Sequence, residues 1–276
     1  MRIAIMQGRL LPPTDGRFQC FPREGWPDEF ALAAAAGLDA IEWIYDLHGA
    51  DVNPIAADDG VASMKALSTQ SGVLVRSLCA DYFMDLPLLR AEPREIERRT
   101  ETLGWLFRRC AILGVGRVVV PFVDASRIDS DAELDHVVGV LERLLPAAEE
   151  TGVELHLETS LSPSRFAQLL ARLPHPMLKV NYDSGNSSSL GYDPRDEFAA
   201  YGERVGSVHI KDRVLGGATV PLGSGDADFV ALFECLRTLG YAGDFVLQVA
   251  RGTTGDEIVW ARKNREYVVA LQAGRA

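Results

Sequence analysis

Two short segments hold side chains suited to metal chemistry. V-N-Y-D-S-G-N, positions 180–186, ends an apolar run at Asp183, and V-H-I-K-D-R, positions 208–213, places His209 near the end of another. A carboxylate and an imidazole are good ligands for a divalent cation. Each also has a plainer reading, since a strand-end Asp often caps a loop or helix and a lone His often sits satisfied in a core. Two further segments add to the set. V-E-L-H-L-E-T contributes Glu158 and D-F-V-L-Q-V-A-R contributes Gln248, both near the end of an apolar stretch. Three or four such groups on consecutive strands make an N/O set for one divalent metal ion, Mn²⁺, Mg²⁺, Co²⁺ or Zn²⁺.

For these side chains to meet, their strands must be parallel and end on one face. The chain supplies that pattern. Short β-branched runs begin near Arg2, Ala40, Val73, Arg117, Val153, Leu178, Val205 and Asp244, and helices are predicted between them over 28–36, 61–70, 93–113, 131–150, 164–173, 194–204 and 226–239. A last helix is predicted over 256–272. Eight strand–helix units in 276 residues, with no Pro/Gly/Ser-rich linker, predict an α/β fold, one single (β/α)8 TIM barrel over 1–276. An open doubly wound sheet would normally show G-x-G-x-x-G after its first strand, and here that position reads Q-G-R-L-L-P.

Composition narrows the partners. The net charge of −11 disfavours nucleic acid, and no run approaches the ~20 apolar residues of a membrane span. The opening M-R-I-A-I-M-Q-G-R-L has too short an apolar run for a signal peptide, and the four scattered cysteines read as reduced thiols, so a cytoplasmic protein is expected. A small-molecule substrate is left open, and so is a homo-oligomer.

Other polar residues fall near the same face. Gln7 closes the first strand and is expected to face the ligand, whereas Arg9 is expected to be a solvated loop residue. Glu42, inward on the second strand, is either an orienting group for the site or half of a structural ion pair. Lys211, Arg213 and Arg251 place cations around the last two strands, so a phosphorylated ligand is expected to bind better than its unphosphorylated counterpart. Gly223-Ser224-Gly225 is either a phosphate-binding loop or a plain turn.

The chain resembles the xylose isomerase-like TIM barrels, in their sugar-phosphate isomerase/epimerase branch. The resemblance runs the whole length. It is carried by I-M-Q-G-R-L, D-A-I-E-W-I-Y-D, Glu158, V-N-Y-D-S-G-N, and V-H-I-K-D-R followed by P-L-G-S-G-D-A-D-F. It implies Glu158, Asp183 and His209 as metal ligands and Glu158 as an acid/base. Two positions depart from the family pattern. Gln248 stands where the family has a Glu that is both fourth ligand and second acid/base, and Asn186 stands where it often has His. An amide can ligate through oxygen but exchanges no proton at neutral pH.

The implied activity is a metal-dependent isomerase or epimerase of a ketose or ketose phosphate, working through an enediolate. Glu158 would be the base, with Lys211, His156 or a metal-bound water as candidates for a second acid. Asn186, His156, Gln7, Glu42, Arg213 and Arg251 are the expected substrate contacts. A keto-sugar dehydratase or lyase on the same metal site needs only one base, and a barrel that binds sugar without turnover needs none. The family's multi-zinc endonuclease branch needs several histidines. Only five occur, and His136 and His175 lie away from strand ends.

Overall fold

The computed structural model describes residues 2–274. Seven barrel strands come first: β1 (Ile3–Met6), β2 (Ala40–Ile44), β3 (Leu74–Cys79), β4 (Arg117–Phe122), β5 (Glu154–Thr159), β6 (Leu178–Asp183) and β7 (Val205–Ile210). A small antiparallel hairpin of β8 (Asp212–Arg213) and β9 (Thr219–Val220) follows, and β10 (Phe245–Leu247) is the eighth barrel strand. Around the ring the order is β1-β10-β7-β6-β5-β4-β3-β2, with every neighbouring pair parallel and β2 closing on β1. The expected (β/α)8 barrel is therefore present.

The helices are α1 (Asp28–Ala35), α2 (Asp58–Ser71), α3 (Tyr82–Asp85), α4 (Pro93–Leu113), α5 (Asp131–Thr151), α6 (Pro163–Arg172), α7 (Ser184–Leu190), α8 (Pro194–Tyr201), α9 (Phe229–Leu239) and α10 (Glu257–Gln272). The sequence pattern explains most of them. In α4, Pro93 occupies the first turn and Gly114 takes the left-handed cap. Ile96, Leu103, Phe107 and Cys110, spaced by seven, four and three, form its buried stripe. Burying each side chain of this size contributes about 1.5–3 kcal/mol, so the stripe holds the helix to the barrel. Among the described residues no helix is long and apolar enough to cross a membrane.

Alternation along the strands divides the core in two. Leu155 and Leu157 on β5, Val180 and Tyr182 on β6, and Val208 and Ile210 on β7 are buried in the apolar cluster. Their alternates, His156 and Glu158, Asn181 and Asp183, Ser207 and His209, are equally buried but polar. On these three strands the apolar side chains thus face away from the barrel interior and the polar ones face into it, where Met6, Val119 and Val246 of the neighbouring strands share the same rows.

Three features depart from the sequence reading: α3 stands where a loop is expected, the β8–β9 hairpin follows β7, and α7 precedes α8. A single helix was expected between β6 and β7, and two are present, because Ser184–Leu190 forms α7. Three consecutive serines are poor helix formers. The helix holds because the Asp183 side chain accepts from the Asn186 N–H at its start (2.8 Å), and the Ser187 hydroxyl donates to Glu197 (2.8 Å). Tertiary partners have overridden propensity.

Candidate active site

The ladder brings the ends of β5, β6 and β7 into line. Asp183 pairs in register with His209, and Leu157 with Val180, which sets Glu158 next to Asn181 one step later. Glu158, Asp183 and His209 each offer one atom, and these atoms lie within 4.8 Å of one another. His209 Nδ1 is 3.1 Å from Glu158 Oε2 and 3.9 Å from Asp183 Oδ2.

The chemistry of this donor set fits a cation. His209 Nε2 lies 2.6 Å from Glu42 Oε1, and a carboxylate only accepts, so the hydrogen of a neutral ring sits on Nε2. Nδ1, buried and without a hydrogen-bond partner, then turns its lone pair toward the two carboxylates. That is how a carboxylate–histidine pair prepares a metal ligand. With no cation bound, the electrostatics put a second proton on the ring instead. Burial works against a charged ring, yet Glu42 and then Glu158 carry the imidazole up to about 10. Burial likewise acts to raise Glu42, and His209 outweighs it and holds the carboxyl below its ordinary value. The pocket is built to favour positive charge at this point.

Around the cluster, both oxygens of Glu158 are held. Asn181 Nδ2 donates to Oε2 (2.8 Å) and Asn186 Nδ2 to Oε1 (2.7 Å). Asp183 divides its oxygens, Oδ1 capping α7 and Oδ2 facing His209 and Lys211. Lys211 Nζ lies 3.4 Å from Asp183 Oδ2, 3.2 Å from Asn186 Oδ1 and 3.1 Å from Gln248 Oε1. These groups open into a cleft of about 260 Å³ that Glu158, Asn186, Lys211 and Gln248 help to line. A separate cavity of about 330 Å³ beside α7 and α8 touches none of Glu158, Asp183 and His209.

Several expected contacts lie elsewhere. Glu42 meets His209 and does not line the cleft, a placement that fits an orienting group or an ion pair but not the expected substrate contact. Gln7 is fully buried and accepts from the Ile44 N–H (2.9 Å), splicing β1 to β2 rather than facing a ligand. His156 is one layer below Glu158 in the interior, between Ser207 and Glu154, and cannot reach the cleft as a second acid. Arg251 donates to the Phe18 and Leu11 carbonyls, where it anchors the β1 loop. Arg9, expected in solvent, is 4% exposed. It donates to Val249, Phe18 and Gln19 and stands 4.4 Å over the Phe18 ring.

The glycine-rich loop also resolves. The N–H groups of Gly223, Gly225 and Ala227 converge on the buried Asp212 carboxylate (2.8, 2.9 and 3.1 Å). A Cβ at Gly225 would overlap that carboxylate and the Arg213 carbonyl. The anion nest is filled by the chain itself, so the loop is not an open phosphate site. Arg213 reaches the Asn186 amide oxygen (3.0 Å) with one nitrogen and the Gly217 carbonyl with two others.

Some site residues were missed. Asn181 alternates with Asp183 on the same strand face, a signal that was readable. Gln19 was not readable. It sits in the β1 loop, yet it donates to Asp81 (2.8 Å) and accepts from Arg9 (2.9 Å) and Gln248 (3.3 Å), drawing that loop across the cleft mouth.

The family model for the xylose isomerase-like TIM barrel matches residues 30–269. The chain belongs to this family. Among its curated relatives is a putative L-ribulose-5-phosphate 3-epimerase of Escherichia coli, 25% identical over 91% of this chain and 89% of that protein. Solved structures of the same fold include D-allulose 3-epimerase from Methylomonas sp. in complex with D-allulose. It has TM-score 0.73 and 19% identity, over 98% of this chain and 96% of that one. The 3-keto-D-glucoside 4-epimerase of E. coli superposes with TM-score 0.73 at 19% identity, over 98% and 99% of the two chains.

Proposed function

We propose that this member of the family is a metal-dependent isomerase or epimerase of a ketose, working through an enediolate. The observation that carries the reading is the buried group of Glu158, Asp183 and His209, with the imidazole oriented by Glu42. Those three residues would hold one divalent ion, which when bound supplies a Lewis acid that polarises a carbonyl and offsets negative charge on its oxygen.

The remaining work falls to the chain. Glu158 takes the proton from the carbon next to the carbonyl, steered by the two amides that grip its oxygens. Gln248 exchanges no proton. Lys211, 3.1 Å from it, is the group at that corner with a proton to give. Aldose–ketose isomerisation on one face uses Glu158 alone, and epimerisation draws on Lys211 as well.

The walls favour an unphosphorylated sugar. Asp46, Asp81, Asp85, Asp124 and Glu158 line the cleft against Arg17 and Lys211. The glycine-rich loop is closed by Asp212, Arg213 is engaged by an amide and a carbonyl, and Arg251 points elsewhere.

Solvent deuterium wash-in tests the reading, with free L-ribulose and D-allulose as probes and L-ribulose 5-phosphate as the contrast. Wild type should exchange the proton next to the carbonyl, and Glu158→Gln should lose that exchange. Wash-in by Glu158→Gln at the wild-type rate would remove Glu158 as the base. A preference for the phosphate ester would refute the reading of the walls.

A further inference from the structure

The ring order gives the cleft two walls. β7 stands opposite β3 and β6 opposite β2, so the strands of His209 and Asp183 face those that lead to Asp81 and Asp46. Glu158, Lys211 and Gln248 line one side, and Asp46 and Asp81 line the other. Because the β1 loop crosses the mouth through Gln19, a ketose with its carbonyl at Glu158 lays its remaining carbons toward the second wall.

The two aspartates of that wall are used differently. Asp46 gives both oxygens to backbone, Oδ2 to the Phe21 N–H (2.7 Å) and Oδ1 to the Gly49 N–H (2.7 Å). Asp81 occupies the N-cap of α3, where an Asp ordinarily accepts from its own helix, yet it makes no such bond. Its Oδ2 accepts from Gln19 Nε2 (2.8 Å) and its Oδ1 from the Cys79 thiol (3.2 Å). A thiol is a weak donor, and an ionised carboxylate can accept about four hydrogen bonds, so Asp81 keeps capacity to spare. Burial lifts its carboxyl to about 6, which leaves it ionised in a mildly alkaline assay.

Gln19 meets Asp81 in one orientation. An arginine only donates, so the Arg9 guanidinium claims Oε1 (2.9 Å) and leaves the NH₂ for Asp81. Gln248 Nε2 donates to the same oxygen (3.3 Å), while its own Oε1 accepts from Lys211 (3.1 Å). One Nε2 hydrogen of Gln19 goes to Asp81, and the other meets no acceptor among the described residues. The pair thus sets a charged acceptor beside an oriented donor. A hydroxyl both donates and accepts, so it satisfies the two together. A phosphate ester brings only acceptors and negative charge, and Asp81 repels it.

We propose that Gln19 and Asp81 form a subsite for a hydroxyl on the part of the ketose away from its carbonyl, and so decide which sugars are taken. The subsite rests on the reading of the cleft as a ketose site and deepens it, by requiring a free hydroxyl at the far end of the substrate.

L-ribulose, 4-deoxy-L-ribulose and 5-deoxy-L-ribulose, assayed with Mn²⁺-loaded protein, test it. The quantity to follow is kcat/KM for L-ribulose divided by that for each deoxy sugar. In wild type, loss of the recognised hydroxyl should raise one of these ratios on the order of 10–100-fold, the worth of a hydrogen bond to a charged group. Asp81→Ala should bring that ratio close to one, because the partner that tells the sugars apart is gone. Asp81→Asn, of the same shape, should lower it less, since a neutral acceptor replaces a charged one. Gln19→Ala should lower it as well. A merely structural pair would slow all three sugars by one common factor in Asp81→Ala and Gln19→Ala and keep both ratios at their wild-type values, and that outcome would overturn the proposal. So would a wild type that treats L-ribulose and both deoxy sugars alike. Should wild type turn over no ketose, the proposed function fails, and the same ratios taken on dissociation constants from calorimetry decide the subsite by themselves. Dependence on Asp81 upholds it, and independence overturns it.

Discussion

Glu42→Gln probes the site through a residue that never meets substrate. The Glu42 and His209 side chains have no exposed surface and stand 2.6 Å apart. Glutamine keeps the volume and one oxygen, so no cavity forms, but the charge is lost. At an effective dielectric of about 20, two unit charges at this distance interact by roughly 6 kcal/mol, an upper bound. Most of that bound is not felt, because the imidazole can shed its proton when the carboxylate goes. What persists is the tautomer. The amide can turn its NH₂ toward Nε2, and the ring hydrogen then moves to Nδ1, where it points at the carboxylates and blocks ligation. Removing such an outer partner typically costs 10–100-fold in metal affinity, about 1.4–2.7 kcal/mol. The Glu42→Gln protein should therefore bind Mn²⁺ or Zn²⁺ 10–100-fold more weakly in chelator competition, with its circular dichroism unchanged. Affinity within twofold of wild type would show that Glu42 does not orient His209 for a metal.

Three further outcomes follow from the structure. Gln248→Glu should add a proton-transfer group beside Lys211, leaving isomerisation intact while raising epimer formation in a product assay; loss of all turnover would count against the assignment of roles. At the barrel floor, burial acts to raise Asp244, and Arg117 and Arg76 outweigh it and depress the carboxyl. A depressed carboxyl contributes stability that is present above its unfolded value near pH 4 and lost as pH falls through the folded one. Asp244→Asn should thus lower the melting temperature at pH 7, by the equivalent of about 3 kcal/mol for a broken buried pair, and flatten the acid limb of the stability curve. Glu29 shows the opposite sign, because burial, only partly offset by the Gly8 N–H and Gln7, lifts it to about 7. Wild type should lose stability relative to Glu29→Gln as pH rises from about 4.5 to 7, and melting curves that run parallel across that window would contradict the shift.

What the sequence determined by itself was periodic or local. Eight β-branched runs alternating with capped amphipathic helices implied the barrel, because period and punctuation are written residue by residue. Parallel strands then forced the ends holding Glu158, Asp183 and His209 onto one rim, which is why their spacing in the chain was readable as a single cluster. What the tertiary structure decided were the partners. Glu42 and His209 are separated by 167 positions, and only closure of the ring brings β2 to face β7. Gln7, Arg251 and His156 carry the right chemistry on the right strands. A side chain one layer lower, or turned toward the β1 loop, leaves the cleft, and no pattern in the chain marks that difference. The glycine-rich loop had the composition of an anion site, yet Asp212, 11 residues before Gly223, fills it. Asn181 and Ser207 depended on a slip in the β6–β7 ladder, and a register shift arises from packing between strands and leaves no periodic signature in either one.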